Sequence, residues 1–199
     1  MDDEAQAVCR PTPEARRQQI LDAACDCVRQ AGFHGASMAE IAKAAGLSVG
    51  QIYRYFENKE AIIAAIVAQD LAEMREKFAE MKSRPGDLLD AMTEHLPEAV
   101  DKCFDLRRAA LVLEVLAEAA RNPKVACIVR AADEQERAFA RGMLERSRNP
   151  AWSDAEFHAR SEVVGMLFDG MIMRAVNHPD TDRQALARVL GATVRQLLS

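Results

Sequence analysis

The stretch that decides the fold is Ser37-Met38-Ala39-Glu40-Ile41-Ala42-Lys43-Ala44-Ala45-Gly46-Leu47-Ser48-Val49-Gly50-Gln51-Ile52-Tyr53-Arg54-Tyr55-Phe56. It holds two capping boxes in succession, Ser37 with Glu40 and Ser48 with Gln51. In each, a hydroxyl accepts an orphan helical N–H and the side chain three residues on reaches back. Between them Met38, Ile41, Ala42 and Ala45 repeat at helical spacing until Gly46, where the chain turns. The second helix carries Ile52 and ends near Phe56. Two short helices joined by a glycine-containing turn form a helix-turn-helix, whose second helix enters a major groove of DNA. Ala42 is small where the helices cross, Gly46 supplies a turn conformation closed to other residues, and Leu47 with Ile52 locks the second helix onto the first.

Upstream, Ile20, Ala24, Val28 and Ala31 form an apolar stripe on a helix that starts at Pro13 and meets a terminator at Gly32. Downstream, a fourth helix starts at Asn58 and runs to about Ser83, where Arg84-Pro85-Gly86 breaks it. Further helices are expected at roughly 87–103, with a kink at Pro97, and at 105–120, 123–148, 153–176 and 181–198. The fold class is therefore all-α with about nine helices. A helix-turn-helix unit at 10–58 joins, through the long fourth helix, a C-terminal helical bundle within 59–199.

Composition agrees. With 199 residues and 49% hydrophobic content the chain can fill a sizeable core, and its longest apolar run, Ala61 to Ala68, is far too short to cross a bilayer. The acidic start Met1-Asp2-Asp3-Glu4 does not resemble a secretory signal, so a cytoplasmic location is expected. Five cysteines without a repeating spacing (Cys9, Cys25, Cys27, Cys103, Cys127) point to free thiols. The net charge of −5 argues against whole-surface binding to a polyanion, yet residues 10–59 carry +2 while 60–199 carry −4. Only the N-terminal segment can face phosphate comfortably.

Within that segment Gln51 has two readings, a bidentate contact to an adenine edge or closure of its own helix. Ser48 has the same two. Gly50 costs about 1 kcal/mol against alanine inside a helix, a cost that close approach to DNA would explain. Tyr53 and Tyr55, the only tyrosines, flank Arg54 and suit phosphate contact, the competing reading being that one of them is core. Lys59 places a cation in the first turn of a helix, against the macrodipole; a phosphate over that terminus would reverse the sign, and a solvated lysine is the competing reading. Arg16 and Arg17 could reach the same backbone or lie solvated.

Gly32-Phe33, Ala36-Ser37, Ile41-Ala42-Lys43-Ala44-Ala45-Gly46-Leu47-Ser48, Gly50, Ile52-Tyr53-Arg54-Tyr55-Phe56 and Asn58-Lys59-Glu60 together resemble the TetR family of bacterial transcriptional regulators. The likeness is strong over about residues 13–62, and Leu116-Ala117-Glu118-Ala119-Ala120-Arg121-Asn122-Pro123 looks like a further family segment. The resemblance implies an all-α homodimer that binds a palindromic operator and is released from it by a small effector. The DNA-facing set is then Ser37, Ser48, Val49, Gly50, Gln51, Tyr53, Arg54, Tyr55 and Lys59. Serine at 37, where the family more often has threonine, can still cap and reach a phosphate.

For the effector, Met74, Phe78 and Met81 at the far end of the fourth helix are expected to line a bundle cavity beside Phe104, Leu113 and Phe139. An apolar or amphipathic molecule wedged there would move the fourth helix as a lever. Glu114 is either an anchor for a cationic ligand or part of a solvated face. Dimerisation is expected through the last two helices. There Phe157, Ser161, Val164, Phe168, Met171 and Ala175 form one face, while Val163, Met166 and Leu167 make the other apolar as well. Leu186, Val189, Leu190, Val194 and Leu197 continue the interface, with Gly191 and Ala192 small enough for close crossing. No cofactor, metal site or membrane contact is expected: His34, His95, His158 and His178 share no ligand spacing, and no nucleophile stands beside a base. An enzyme or carrier using the cavity without DNA is the competing reading, and a thiol sensor built on Cys103 with Arg107 ranks below it.

Overall fold

A computed structural model describes residues 11–84, 86–145 and 148–199. Cys9 and the acidic start lie outside them. The described residues form helices α1 (Pro13–Gly35), α2 (Met38–Ala44), α3 (Val49–Ile52), α4 (Lys59–Ser83), α5 (Leu88–Cys103), α6 (Leu106–Ala119), α7 (Pro123–Leu144), α8 (Asp154–Asn177) and α9 (Arg183–Leu198), with no strand among them. The chain divides into two compact units, the first ending at Ile62 and the second beginning at Ile63, so the division falls inside α4.

Local chemistry sets most helix ends. Thr12 caps α1 by accepting from the Ala15 N–H at 3.2 Å, with Pro13 at the first helical position. Gly32 interrupts α1 with φ 70° and ψ 172°, so the expected terminator acts as a break and Phe33 to Gly35 resume beyond it. Gly46 turns the chain between α2 and α3 with φ 64°. The helix expected to end near Phe56 is regular only to Ile52, and Tyr53 to Tyr55 continue as turns. The helix expected to reach residue 148 stops at Leu144, and α5 runs unbroken through Pro97.

In the first unit Ile20, Ala24 and Val28 of α1 are buried together with Ile41, Ala42, Ala45, Ile52 and Phe56. The small side chain at Ala42 and the anchor at Ile52 are where the crossing requires them.

In the second unit α5 packs along α9, and α6 packs on α7 and α8. The core draws Met81, Leu89, Leu96, Val100, Phe104, Met143, Phe157, Val164, Met171, Leu190 and Val194 into one cluster. Gly191 corrects an expectation. A Cβ there would lie 3.1 Å from Thr93 Cγ2 and 3.3 Å from Leu96 Cδ1, so its smallness serves the crossing with α5 of the same chain rather than a partner's helix.

Among the described residues one acid is fully buried, Glu118 at 2% exposure, in the corner between α6 and α7. Arg121 Nε and Asn122 Nδ2 each donate to its carboxylate at 3.0 Å, and the same Asn122 caps α7 by accepting from Lys124 N–H. Burying a carboxylate is tolerable only when such donors replace water.

Phe104 is 1% exposed at the centre of the second core. Phe104→Ala is expected to cost about 3–5 kcal/mol of stability, read as a lower urea midpoint with an unchanged slope.

Candidate nucleic-acid interface

Both capping boxes form as the spacing requires. In the first, Glu40 N–H donates to Ser37 Oγ at 3.2 Å and Ser37 N–H donates to Glu40 Oε2 at 2.8 Å. The Ser37 backbone N–H, helped by its hydroxyl, holds the Glu40 carboxyl below the usual carboxylate range. In the second, Gln51 N–H donates to Ser48 Oγ at 3.3 Å and Ser48 N–H donates to Gln51 Oε1 at 2.8 Å. Gln51 therefore closes its own helix here, and Ser48 is a cap.

These boxes hold α3 with one side inward and one side bare. Ile52 is fully buried, whereas Ser48, Val49, Gly50, Gln51, Tyr53 and Arg54 are exposed, Tyr53 at 52%. Ser37 is exposed as well, and Tyr55 is half-buried. A Cβ at Gly50 would meet nothing within 4 Å, so the fold itself gives no reason for a glycine there. The helix-propensity cost at this position has no return inside the molecule.

Lys59 is half-buried, and its first-turn charge is answered from within. The ammonium donates to the Phe33 carbonyl and sits 4.0 Å from the centre of the Phe33 ring. Those two contacts offset the unfavourable helix dipole, which the sequence alone assigned to a phosphate.

Three of the residues expected to share an effector cavity belong to the core of the second unit or lie against it. Met81 and Phe104 are core, with Phe78 packed against that core. Met74, Leu113 and Glu114 are half-buried. Phe139 departs from the expectation: it is 39% exposed, with the Arg75 guanidinium 4.2 Å above its ring, a surface stack rather than a cavity wall. A cleft of about 240 Å³ is lined by Met81, Lys82, Arg84, Gly86, Asp87, Leu88 and Met143, of which only Met81 was expected. Sequence reasoning also passed over Glu118, whose alanine-rich surroundings matched those of Glu114. The signal was the Arg121-Asn122 pair three and four residues on.

Among the described cysteines Cys127 is the exposed one. Cys103 is buried, and that burial pushes its thiol up against the opposing pull of Arg108 and Lys102. Burial likewise raises Cys25 and Cys27. The described residues hold no cluster of His, Cys, Asp or Glu suited to a metal ion, and none of their helices is long and apolar enough to cross a membrane.

A capped helix-turn-helix presenting a bare, glycine-containing face, on a chain with a separate helical bundle, defines the class of DNA-binding regulators. Residues 20–66 match the bacterial regulatory proteins of the tetR family, and residues 83–199 match the tetracyclin repressor-like C-terminal domain. The chain belongs to the TetR family. It is 37% identical over 130 residues to the HTH-type transcriptional regulator UidR of Escherichia coli (strain K12), a match covering 65% of this chain and 63% of that protein. The chain thus spans less than two thirds of this relative's length. The solved structure of Salmonella enterica GusR superposes with a TM-score of 0.74 at 26% identity, covering 94% of this chain and 97% of that one. A transcriptional regulator from Pseudomonas aeruginosa PAO1 superposes with a TM-score of 0.81 at 20% identity over 95% and 93% of the two chains, a likeness of fold. UidR and the Pseudomonas protein are named as regulators of transcription.

Because a side chain at 50 has open space in the free protein, Gly50→Leu is expected to leave the melting temperature unchanged or slightly higher. The same change should abolish duplex DNA binding in a mobility shift, since the new side chain would project into the groove.

Proposed function

We propose that this protein is a ligand-responsive repressor that binds a palindromic operator as a homodimer in the cytoplasm and leaves it on binding a small apolar or amphipathic effector. The observation that supports DNA contact best is Gly50, exposed on α3 with no packing reason to be a glycine. In this reading Ser48, Val49, Gly50 and Gln51 face the groove, and Gln51 exchanges its cap for a base edge. Ser37, Tyr53, Arg54 and Tyr55 contact the sugar-phosphate backbone, and Lys59 joins them by exchanging the Phe33 carbonyl for a phosphate. The DNA-binding domain covers 10–58, and the effector and dimerisation domain covers 59–199. The effector side rests on the bundle, where half-buried Met74, Phe78, Leu113 and Glu114 are the available lining.

The homodimer reading has its own support. On α8, Val163, Met166 and Met173 are exposed at 41%, 65% and 59%, with Gly170 between them, a spacing of three, four and three residues along one face. The opposite face, Phe157, Val164, Met171 and Ala175, is buried in the chain's own core. On α9, Leu190 and Val194 are buried and Leu186 and Leu197 pack against that core, which leaves Val189, 65% exposed, and Ala192 for a partner. The proposed interface is narrower on α9 than the sequence pattern suggested. A contiguous apolar stripe of this kind marks an interaction surface.

Titrating random-sequence duplex DNA with the full chain at several salt concentrations tests the DNA reading. Affinity is expected to fall steeply and log-linearly with salt, and selection from a random pool is expected to recover an inverted repeat. A protein that ignores DNA at low salt would be the enzyme or carrier of the competing reading. For the dimer, sedimentation at micromolar concentration should give twice the chain mass. Met166→Glu should shift the protein to a folded monomer with unchanged far-ultraviolet circular dichroism.

A further inference from the structure

We propose that Arg17 of α1 is a positioning residue for the recognition helix: it holds the end of α3 in register for base readout instead of contacting a phosphate. The inference rests on the DNA-binding reading above. A helix of four residues, Val49–Ile52, cannot fix its own direction, so whatever grips its two ends sets its angle. The N-terminal end is gripped by the Ser48 and Gln51 box. The C-terminal end runs into Tyr55 and Phe56, and there Arg17 takes hold.

Its guanidinium carbon lies 4.3 Å from the centre of the Phe56 ring, and its Nη1 donates to the Tyr55 carbonyl oxygen at 3.5 Å. Phe56 is 3% exposed, so the ring is fixed by the core and the stacked guanidinium is fixed by the ring. The neighbouring turn is held in the same manner. Arg16 Nη1 donates to Gln19 Oε1 at 2.9 Å, and Gln19 Nε2 in turn donates to the Ala45 carbonyl at the end of α2, at 2.6 Å. Arg16 and Arg17, which the sequence alone left open between phosphate and solvent, are thus engaged with a carbonyl, a ring face and an amide inside the unit. Lysine cannot replace arginine at 17, because the planar fork is what stacks and donates at once.

A positioning role and a phosphate contact differ in what salt and sequence report. The full-length protein and its Arg17→Ala and Arg17→Lys variants are compared on a selected inverted-repeat duplex and on random duplex over a range of salt. Far-ultraviolet circular dichroism and melting confirm that each is folded. For Arg17→Ala the ratio of specific to random affinity should fall by about tenfold with the salt slope unchanged, and Arg17→Lys should behave like alanine. A drop of about one unit in the slope with the ratio preserved, or rescue by lysine, would overturn the proposal in favour of a phosphate contact. An Arg17→Ala variant equal to the wild type in both quantities would overturn it as well. If Arg17→Ala does not fold, the readout moves to Arg17→Lys, where a preserved ratio overturns the proposal. A wild type that binds no DNA would overturn this proposal together with the reading it rests on, whereas the other outcomes strike the role of Arg17 alone.

Discussion

A four-residue helix in water has no means of staying helical by itself, because the cost of its first turn is never recovered by propagation. Everything around α3 answers that constraint. Ser48 and Gln51 satisfy its first donors, Ile52 pins it from below, and Phe56 anchors the chain as it leaves. Gly46, with φ 64°, lets the incoming chain turn sharply enough for α2 to serve as the floor. On the exposed side of α3, Val49 and Gly50 are then left with no part in holding the helix, beside the capping pair Ser48 and Gln51.

Charge is handled by the same division of labour. Lys59 stands at a helix start where the dipole opposes it, and the Phe33 ring and carbonyl absorb the conflict. In the second unit Lys102 and Arg108 reach across helices to Asp70 at 3.4 and 2.6 Å, and Arg195 reaches from α9 to Asp90 on α5 at 2.5 Å. These pairs are largely exposed and add little stability each, so they orient helices that apolar burial holds together.

Much of the fold was legible because its signals are local. Capping boxes, the Gly46 turn, the Ile20-Ala24-Val28 stripe and the Asn122-Pro123 breaker each act within a few residues, and those helices start and stop close to where the signals put them, whereas α5 runs on through Pro97 and α7 stops short at Leu144. What stayed illegible depends on which elements meet. Gly191 looked like a residue for a partner's helix because a sequence cannot say that α5 passes over it. Phe139 looked like a cavity wall because its spacing fits a core, and Arg75, sixty-four residues away in the chain, is what makes a surface position comfortable. Leu190 and Val194 fitted an interface pattern equally well until α5 covered them. Lys59 was read from the dipole and the family resemblance, and the ring that shelters its charge lies on another helix.

The corner built on Glu118 has a consequence for how this chain can drift. The buried carboxylate is joined to the Arg121 guanidinium and the Asn122 amide, and Asn122 also starts α7. Replacing the arginine or the asparagine alone removes one of the donors that stand in for water around a buried charge, and replacing the acid alone removes the acceptor both of them use. Each first step away from the set is therefore downhill in fitness for folding, even where the end point would be sound. Substitution here has to arrive as a block or be preceded by gains elsewhere, so this corner should change in jumps while the surface around it wanders freely.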